Sequence, residues 1–132
     1  MTKIILDSSA YTRFVSGDRA VLAVLSNAKT VYFSVFVLGE LFAGFKAGTH
    51  EAANKKILSA FLEKPSVAFL PASEETADCY GRIWIALRKA GRPIPTNDVW
   101  IAAQAIETGS VLVTFDAHFS LVPGLRLWDQ FI

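Results

Sequence analysis

Short unbroken apolar runs alternate along the chain with longer stretches in which apolar residues recur every three or four positions. Ile4-Ile5-Leu6, Val31-Tyr32-Phe33, Val67-Ala68-Phe69-Leu70 and Val111-Leu112-Val113 are brief and rich in aliphatic, β-branched or aromatic residues. Runs of that kind predict strands, and Ile4-Ile5-Leu6 reads as one covered on both faces, as in a parallel sheet. The stretches between them read as helices with recognisable starts and stops. Ser8 to about Val15 is one, ended near Gly17. Asp18 caps a second that buries Val21, Leu22, Val24 and Leu25, and Ser34 starts a third, strongly apolar through Phe45 and closed near Gly48. Thr49 is placed to cap a fourth, with Ala53, Ile57, Leu58, Phe61 and Leu62 on one face and Pro65 as its stop. Ser73 caps a fifth whose stripe is Ala77, Tyr80, Ile83, Trp84 and Leu87, with Glu74 and Glu75 suited to its positive end. Asn97-Asp98 opens a sixth after the rigid Pro93–Pro95 loop, closed at Gly109. Pro123-Gly124 reads as a turn, and Leu125 to Trp128 as a last short strand. Strands alternating with helices predict an α/β fold around a mainly parallel sheet of four to five strands.

Composition narrows the function classes. A chain of 132 residues, 52% hydrophobic, is read as one domain, residues 1–132. A formal net charge of +1 gives no strong field for non-specific nucleic-acid binding, though it leaves room for a local basic rim. The one cysteine, Cys79, excludes an internal disulfide and fits a reducing compartment. The N-terminal apolar run meets Asp7 after three residues, and the region from Val31 to Phe45 is interrupted by Glu40, so neither a signal peptide nor a membrane span is expected. The expected location is the cytoplasm.

Four acids stand in telling places. Asp7 and Asp116 each lie just past the carboxyl end of an aliphatic strand, where ligand sites of open parallel sheets are found. Asp98 lies in the first turn of a helix, and Glu40 is embedded in V-F-V-L-G-E-L-F-A-G-F with no Lys or Arg within a turn. Helix capping would account for Asp7, Asp98 or Asp116 singly, and an exposed edge for Glu40. A shared site accounts for all four together. Clustered carboxylates must either take up a proton or be held by a cation. An all-oxygen donor set suits Mg²⁺ or Mn²⁺. Zinc is disfavoured, because His50 and His118 lack ligand-like spacing and read as surface or capping residues. A carboxylate-held hard cation is a device for phosphodiester chemistry. No G-x-G-x-x-G, Walker-type loop or G-x-S-x-G elbow is present.

The landmarks I-L-D-S-S-A at Asp7, V-L-G-E-L-F-A-G at Glu40, I-P-T-N-D-V-W-I-A-A-Q-A at Asp98 and L-V-T-F-D-A-H-F at Asp116, ending in V-P-G-L-R-L, resemble the PIN-domain family. Within it they are most similar to the VapC-like toxin ribonucleases. The resemblance implies a three-layer PIN-like fold with helices on both faces of the sheet and the four acids converging at one end. It implies Mg²⁺- or Mn²⁺-dependent endonuclease action on RNA, leaving a 5′-phosphate. Asp7, Glu40 and Asp98 match the family's acidic core, Asp116 its less constant fourth acid. Asn97 and Thr114 match polar positions lining the same site, and Ser8 a small hydroxyl beside the first acid. Phe115 departs from the polar or basic residue common at its position. The resemblance further implies a homodimer and a small antitoxin as partner. Lys46, Arg82, Arg88, Lys89 and Arg92 are candidates for contact with RNA phosphates.

Other readings remain open at this level. A non-catalytic interaction protein on the same fold predicts one acid replaced by a neutral residue, which is not the case. A phosphotransfer domain using Asp7 wants a second acid nearby, yet Ser9 stands where a D-x-D motif has its second aspartate. A flap-type DNA nuclease normally needs a longer chain.

Overall fold

The computed structural model describes residues 2–128; the expected domain also includes Met1 and residues 129–132, which lie outside the described residues. The elements run β1 (Lys3–Leu6), α1 (Ser8–Val15), α2 (Arg19–Asn27), β2 (Thr30–Ser34), α3 (Val35–Ala47), α4 (Glu51–Leu62), β3 (Val67–Leu70), α5 (Glu74–Lys89), α6 (Thr96–Thr108) and β4 (Val111–Val113). A 3₁₀ turn over Ala117–Leu121 follows. The four strands form one parallel sheet in the order β3-β2-β1-β4. Ile4, Ile5 and Leu6 are all fully buried. Successive strand residues point to opposite faces, so both faces of β1 are covered, as the unbroken apolar run predicts.

The strand order places the functional end. The chain steps outward from β1 to β2 to β3, then returns through α6 to lay β4 on the other side of β1. Connections therefore leave the ends of β1 and β4 in opposite directions, which opens a crevice between those ends. Asp7 N–H donates to Val113 O at 3.2 Å across this switch point, so the two strand ends carrying Asp7 and Asp116 are held side by side. On the far side of α6, Thr76 in the first turn of α5 bonds Glu107 in the last turn of α6. The two helices are antiparallel, which brings the end of α5 beside the start of α6 and Asp98.

Three rings from separate elements lock one face of the sheet. Tyr11 on α1, Phe33 on β2 and Phe61 on α4 meet edge to face at centroid distances of 5.5 to 5.8 Å.

Several expected details differ. Leu22, Ile57, Ala77 and Trp84, expected on apolar buried faces, are exposed, and α5 buries Thr76, Cys79, Ile83 and Leu87 instead. Leu125–Trp128 does not form a strand: it touches β4 at the single bridge Leu112–Leu127, with Leu112 N–H donating to Arg126 O at 2.9 Å. A three-residue edge strand offers little more to pair with, and Trp128 turns its indole N–H to Thr114 O instead. Thr49 does not cap α4, which starts at Glu51 behind His50 with no side-chain cap. Glu51 instead anchors that end of the helix by accepting from Lys46 at 2.8 Å.

Phe33 is fully buried between two helices. Phe33→Ala removes a ring that the surrounding elements cannot close over, and should destabilise the fold by about 3–5 kcal/mol. Urea unfolding measures this; a loss below about 1 kcal/mol, the scale of an average point substitution, would contradict the described core.

Candidate metal and nuclease site

Asp7 is a helix cap and also lies near Asp116. It ends β1 in extended conformation and accepts from Ala10 N–H at 2.9 Å, satisfying a free donor of α1. The same carboxylate accepts from Ser9 Oγ at 2.7 Å and from Thr114 Oγ1, at the end of β4. Thr114 Oγ1 in turn accepts from Asp116 N–H at 3.0 Å, and Ser9 Oγ accepts from Phe115 N–H at 3.1 Å. The loop after β4 is thereby fastened to the loop after β1, and Asp116 is fixed relative to Asp7. Burial pushes the Asp7 carboxyl up from its ordinary value, while Thr114, Ala10 and Ser9 pull it down and Asp116 adds to the rise. Burial wins.

Asp98 is not a cap. Helix α6 starts behind Pro95 with no side-chain cap, and the Asp98 carboxylate faces Asp116 and His118. Its Oδ2 lies 3.4 Å from His118 Nδ1, and Asp116 Oδ1 lies 3.1 Å from the same nitrogen. Ligand atoms of Asp98, Asp116 and His118 all fall within 4.8 Å of one another. The Asp98 carboxyl is raised first by burial and then by the charge of Asp116; His118 opposes the rise and Glu40 adds to it. Glu40 therefore lies close enough to Asp98 to act on it. Its Oε1 is buried with no hydrogen-bond partner among the described residues, and so is the Asn97 amide nitrogen. Buried polar atoms of this kind are rare in folded proteins. Among the described residues, no lysine or arginine is paired with any of the four acids.

Asp98, Asp116 and His118 thus form the tight cluster. Asp7 is joined to it through Thr114, and Glu40 flanks it from α3. His118 stands against the acids although spacing gave no reason to select it; the 3₁₀ turn that begins with His118 N–H donating to Asp116 Oδ1 brings its ring back. Ser9, the second residue of α1, bridges Asp7 to Phe115, whereas among the described residues no side-chain hydrogen bond is found for Ser8. Of the candidate RNA contacts, Lys46 pairs with Glu51 and Arg82 with Asp78 at 3.2 Å, while Arg88 covers the Trp84 ring. Lys89 and Arg92 have no acidic partner among the described residues, and the antiparallel packing of α5 and α6 places them at the Asp98 end.

The donor set fits a hard divalent cation. Carboxylate oxygens predominate in it beside the His118 nitrogen, acids outnumber basic groups, and among the described residues one buried Glu40 oxygen has no donor. The acids also have a cost to stability when no cation is present. Asp7 and Asp98 have carboxyl pKa values above their ordinary 3.8. A carboxyl that holds its proton more tightly in the folded than in the unfolded chain contributes most below the unfolded value. That contribution is lost as pH rises through the folded value. In EDTA, stability should therefore fall from about pH 4 upward as these two groups ionise. The helix dipole favours a first-turn carboxylate by about 0.3–1 kcal/mol, but the upward shift says that burial and like charge outweigh it at Asp98. Asp98→Asn should melt a few degrees higher than wild type at neutral pH in EDTA, a gain on the order of 1 kcal/mol, and the gap should close near pH 4. Mg²⁺ should raise the melting temperature of wild type more than that of Asp98→Asn. Equal melting temperatures across pH, with equal metal responses, would mean that the acids do not share an ion.

Comparison with known proteins places this arrangement. The PIN domain family matches residues 4–125. The chain is 30% identical over 112 residues to Ribonuclease VapC2 of Rickettsia felis, covering 83% of this chain and 82% of that protein. Its fold superposes on the VapBC2 complex of Rickettsia felis, bound to a DNA fragment from its promoter, with a TM-score of 0.85 at 25% identity, over 96% of this chain and 97% of that one. It also superposes on VapBC-5 of Mycobacterium tuberculosis, a member of the VapBC family of toxin-antitoxin systems, with a TM-score of 0.71 at 25% identity, over 96% and 100% of the two chains. With its sheet order, its acidic crevice and these matches, the chain belongs to the PIN domain family.

Proposed function

We propose that residues 1–132 form one nuclease domain, a divalent-metal-dependent endoribonuclease that acts in the cytoplasm as the toxin of a toxin–antitoxin pair. The observation that carries the reading is the convergence of Asp7, Glu40, Asp98 and Asp116 on the β1–β4 switch point, with, among the described residues, no lysine or arginine paired to them and a Glu40 oxygen without a donor. The relative named a ribonuclease and the toxin–antitoxin neighbour supply the substrate class and the partner. A small antitoxin and a second copy of the chain are the partners this reading implies.

Mg²⁺ or Mn²⁺, when bound, would offset the charge of the attacked phosphodiester and ease ionisation of a water. The chain's own residues set the geometry. Asp7 enters already oriented by three donors, so its carboxylate needs no rearrangement to serve as a ligand. Asp98 and Asp116 face each other across a short gap spanned by the His118 imidazole, the basic side chain set against both among the described residues. Glu40 approaches from α3 with an unengaged oxygen, and Asn97 offers a buried amide donor suited to a phosphate oxygen. Thr114 fixes Asp7 and Asp116 to each other. Thr114→Val should therefore impair cleavage although it removes no charge.

Cleavage of a mixed RNA pool by the purified protein tests the reading. Wild type with Mg²⁺ or Mn²⁺ should generate new RNA ends. Asp7→Asn and Asp98→Asn should each slow cleavage on the order of a hundredfold or more, and excess EDTA should stop it. Undiminished cleavage in EDTA would contradict a metal-dependent mechanism.

A further inference from the structure

Beside the acids lies a second feature that the metal site does not use. Phe115 stands between Thr114 and Asp116, both committed to the acidic cluster, yet its own ring is 39% exposed. A single exposed aromatic residue is ordinary on a protein surface. This one is held in place. Its backbone N–H donates to Ser9 Oγ, and its ring meets Trp128 edge-on at 5.5 Å. Trp128 is itself pinned by its indole N–H to Thr114 O at 2.8 Å. Over the Phe115 ring lies the Arg13 guanidinium, 4.4 Å from the centroid.

The helix explains the pairing. Arg13 follows Ser9 by four residues on α1, so both side chains lie on the face turned to the loop after β4. Arg13 is little engaged otherwise. Its one acidic neighbour, Asp18, is 3.9 Å away, and the Arg13 side chain is 57% exposed. An exposed ion pair at that distance contributes almost nothing. Among the described residues, Arg13 donates no hydrogen bond, so its five N–H groups remain available. The planar fork of a guanidinium matches phosphate oxygens and also stacks on flat rings. A cation fixed at the edge of an otherwise anionic crevice is where a polyanionic strand would be gripped.

We propose that Arg13 and Phe115 form a nucleotide subsite for an unpaired stretch of RNA entering the acidic crevice. Arg13 takes the phosphate next to the one cleaved, and Phe115 takes the adjoining base on the face of its ring turned away from the Arg13 guanidinium. The subsite rests on the ribonuclease reading and deepens it, because a ring can accept a base only where that base is unstacked from its own helix.

Binding of a fluorescent twelve-nucleotide unpaired RNA to Asp98→Asn protein, alone and combined with Arg13→Ala, Phe115→Ala or Phe115→Trp, tests this across a salt series. Phe115→Ala should weaken binding on the order of tenfold with the salt slope unchanged, since stacking carries no counterion release. Phe115→Trp should retain binding. Arg13→Ala should weaken binding and flatten the slope by about 0.7, the single-strand value for one phosphate contact. A blunt duplex of the same sequence should be indifferent to both alanine variants. Binding of the unpaired RNA within twofold of the Asp98→Asn parent for both alanine variants, while wild type still cleaves RNA, would overturn the subsite alone. If wild type cleaves no RNA and the Asp98→Asn parent binds none, the ribonuclease reading falls and the subsite with it.

Discussion

Like charges do not gather in a protein interior without a reason, and the structure is arranged around a gathering of this kind. Asp7 and Asp98 are buried, Glu40 is half-buried with an unengaged oxygen, and Asp116 raises the carboxyl pKa of both Asp7 and Asp98. Hydrogen bonds ease the strain only in part. Asp7 has three donors; among the described residues, the basic side chain set against Asp98 and Asp116 is His118. The remaining repulsion is a standing demand for a cation.

The rest of the fold delivers those acids to one place. β1 and β4 are neighbours whose connections run opposite ways, so a carboxylate just past each strand end faces the same crevice. The first turn of α6 presents Asp98 there because α6 precedes β4 and starts at its carboxyl end. α3 begins at the carboxyl end of β2 and brings Glu40 in from the flank, its position secured where Phe36, one turn before Glu40, stacks on Trp100 at 5.1 Å. Tyr80 of α5 stacks on the other partner of that pair at 4.0 Å from Trp100. The aromatic contacts and the antiparallel α5–α6 pair are scaffolding; the chemistry sits in the loops that the scaffold aims.

Much of this was legible in the sequence because burial leaves a plain trace. Consecutive aliphatic residues announced β1 as a strand covered on both faces, whereas the edge strand β3 leaves Phe69 exposed, and the four acids stood out because each breaks an apolar context. Features that depend on how loops fold were not legible. His118 is a lone exposed histidine in sequence and becomes a site residue only because a 3₁₀ turn reverses the chain after Asp116. Ser8 and Ser9 are indistinguishable as letters, and only the geometry of the first helical turn gives Ser9 the bridge to Phe115. The Arg13–Phe115 pair joins residues a hundred positions apart. The last expected strand failed for a local reason: apolar residues were present, but three residues of β4 gave them almost no edge to pair with.

The central claim is that these carboxylates share one kind of occupant, a hard divalent cation at the β1–β4 switch point. Anomalous diffraction from crystals soaked in Mn²⁺ tests it most directly. The account predicts a manganese peak bounded by Asp7, Asp98 and Asp116 oxygens with Glu40 alongside, and its loss in Asp98→Asn crystals grown and soaked in the same way. A crevice without manganese at millimolar soak concentrations, with His118 still against Asp98 and Asp116, would contradict it.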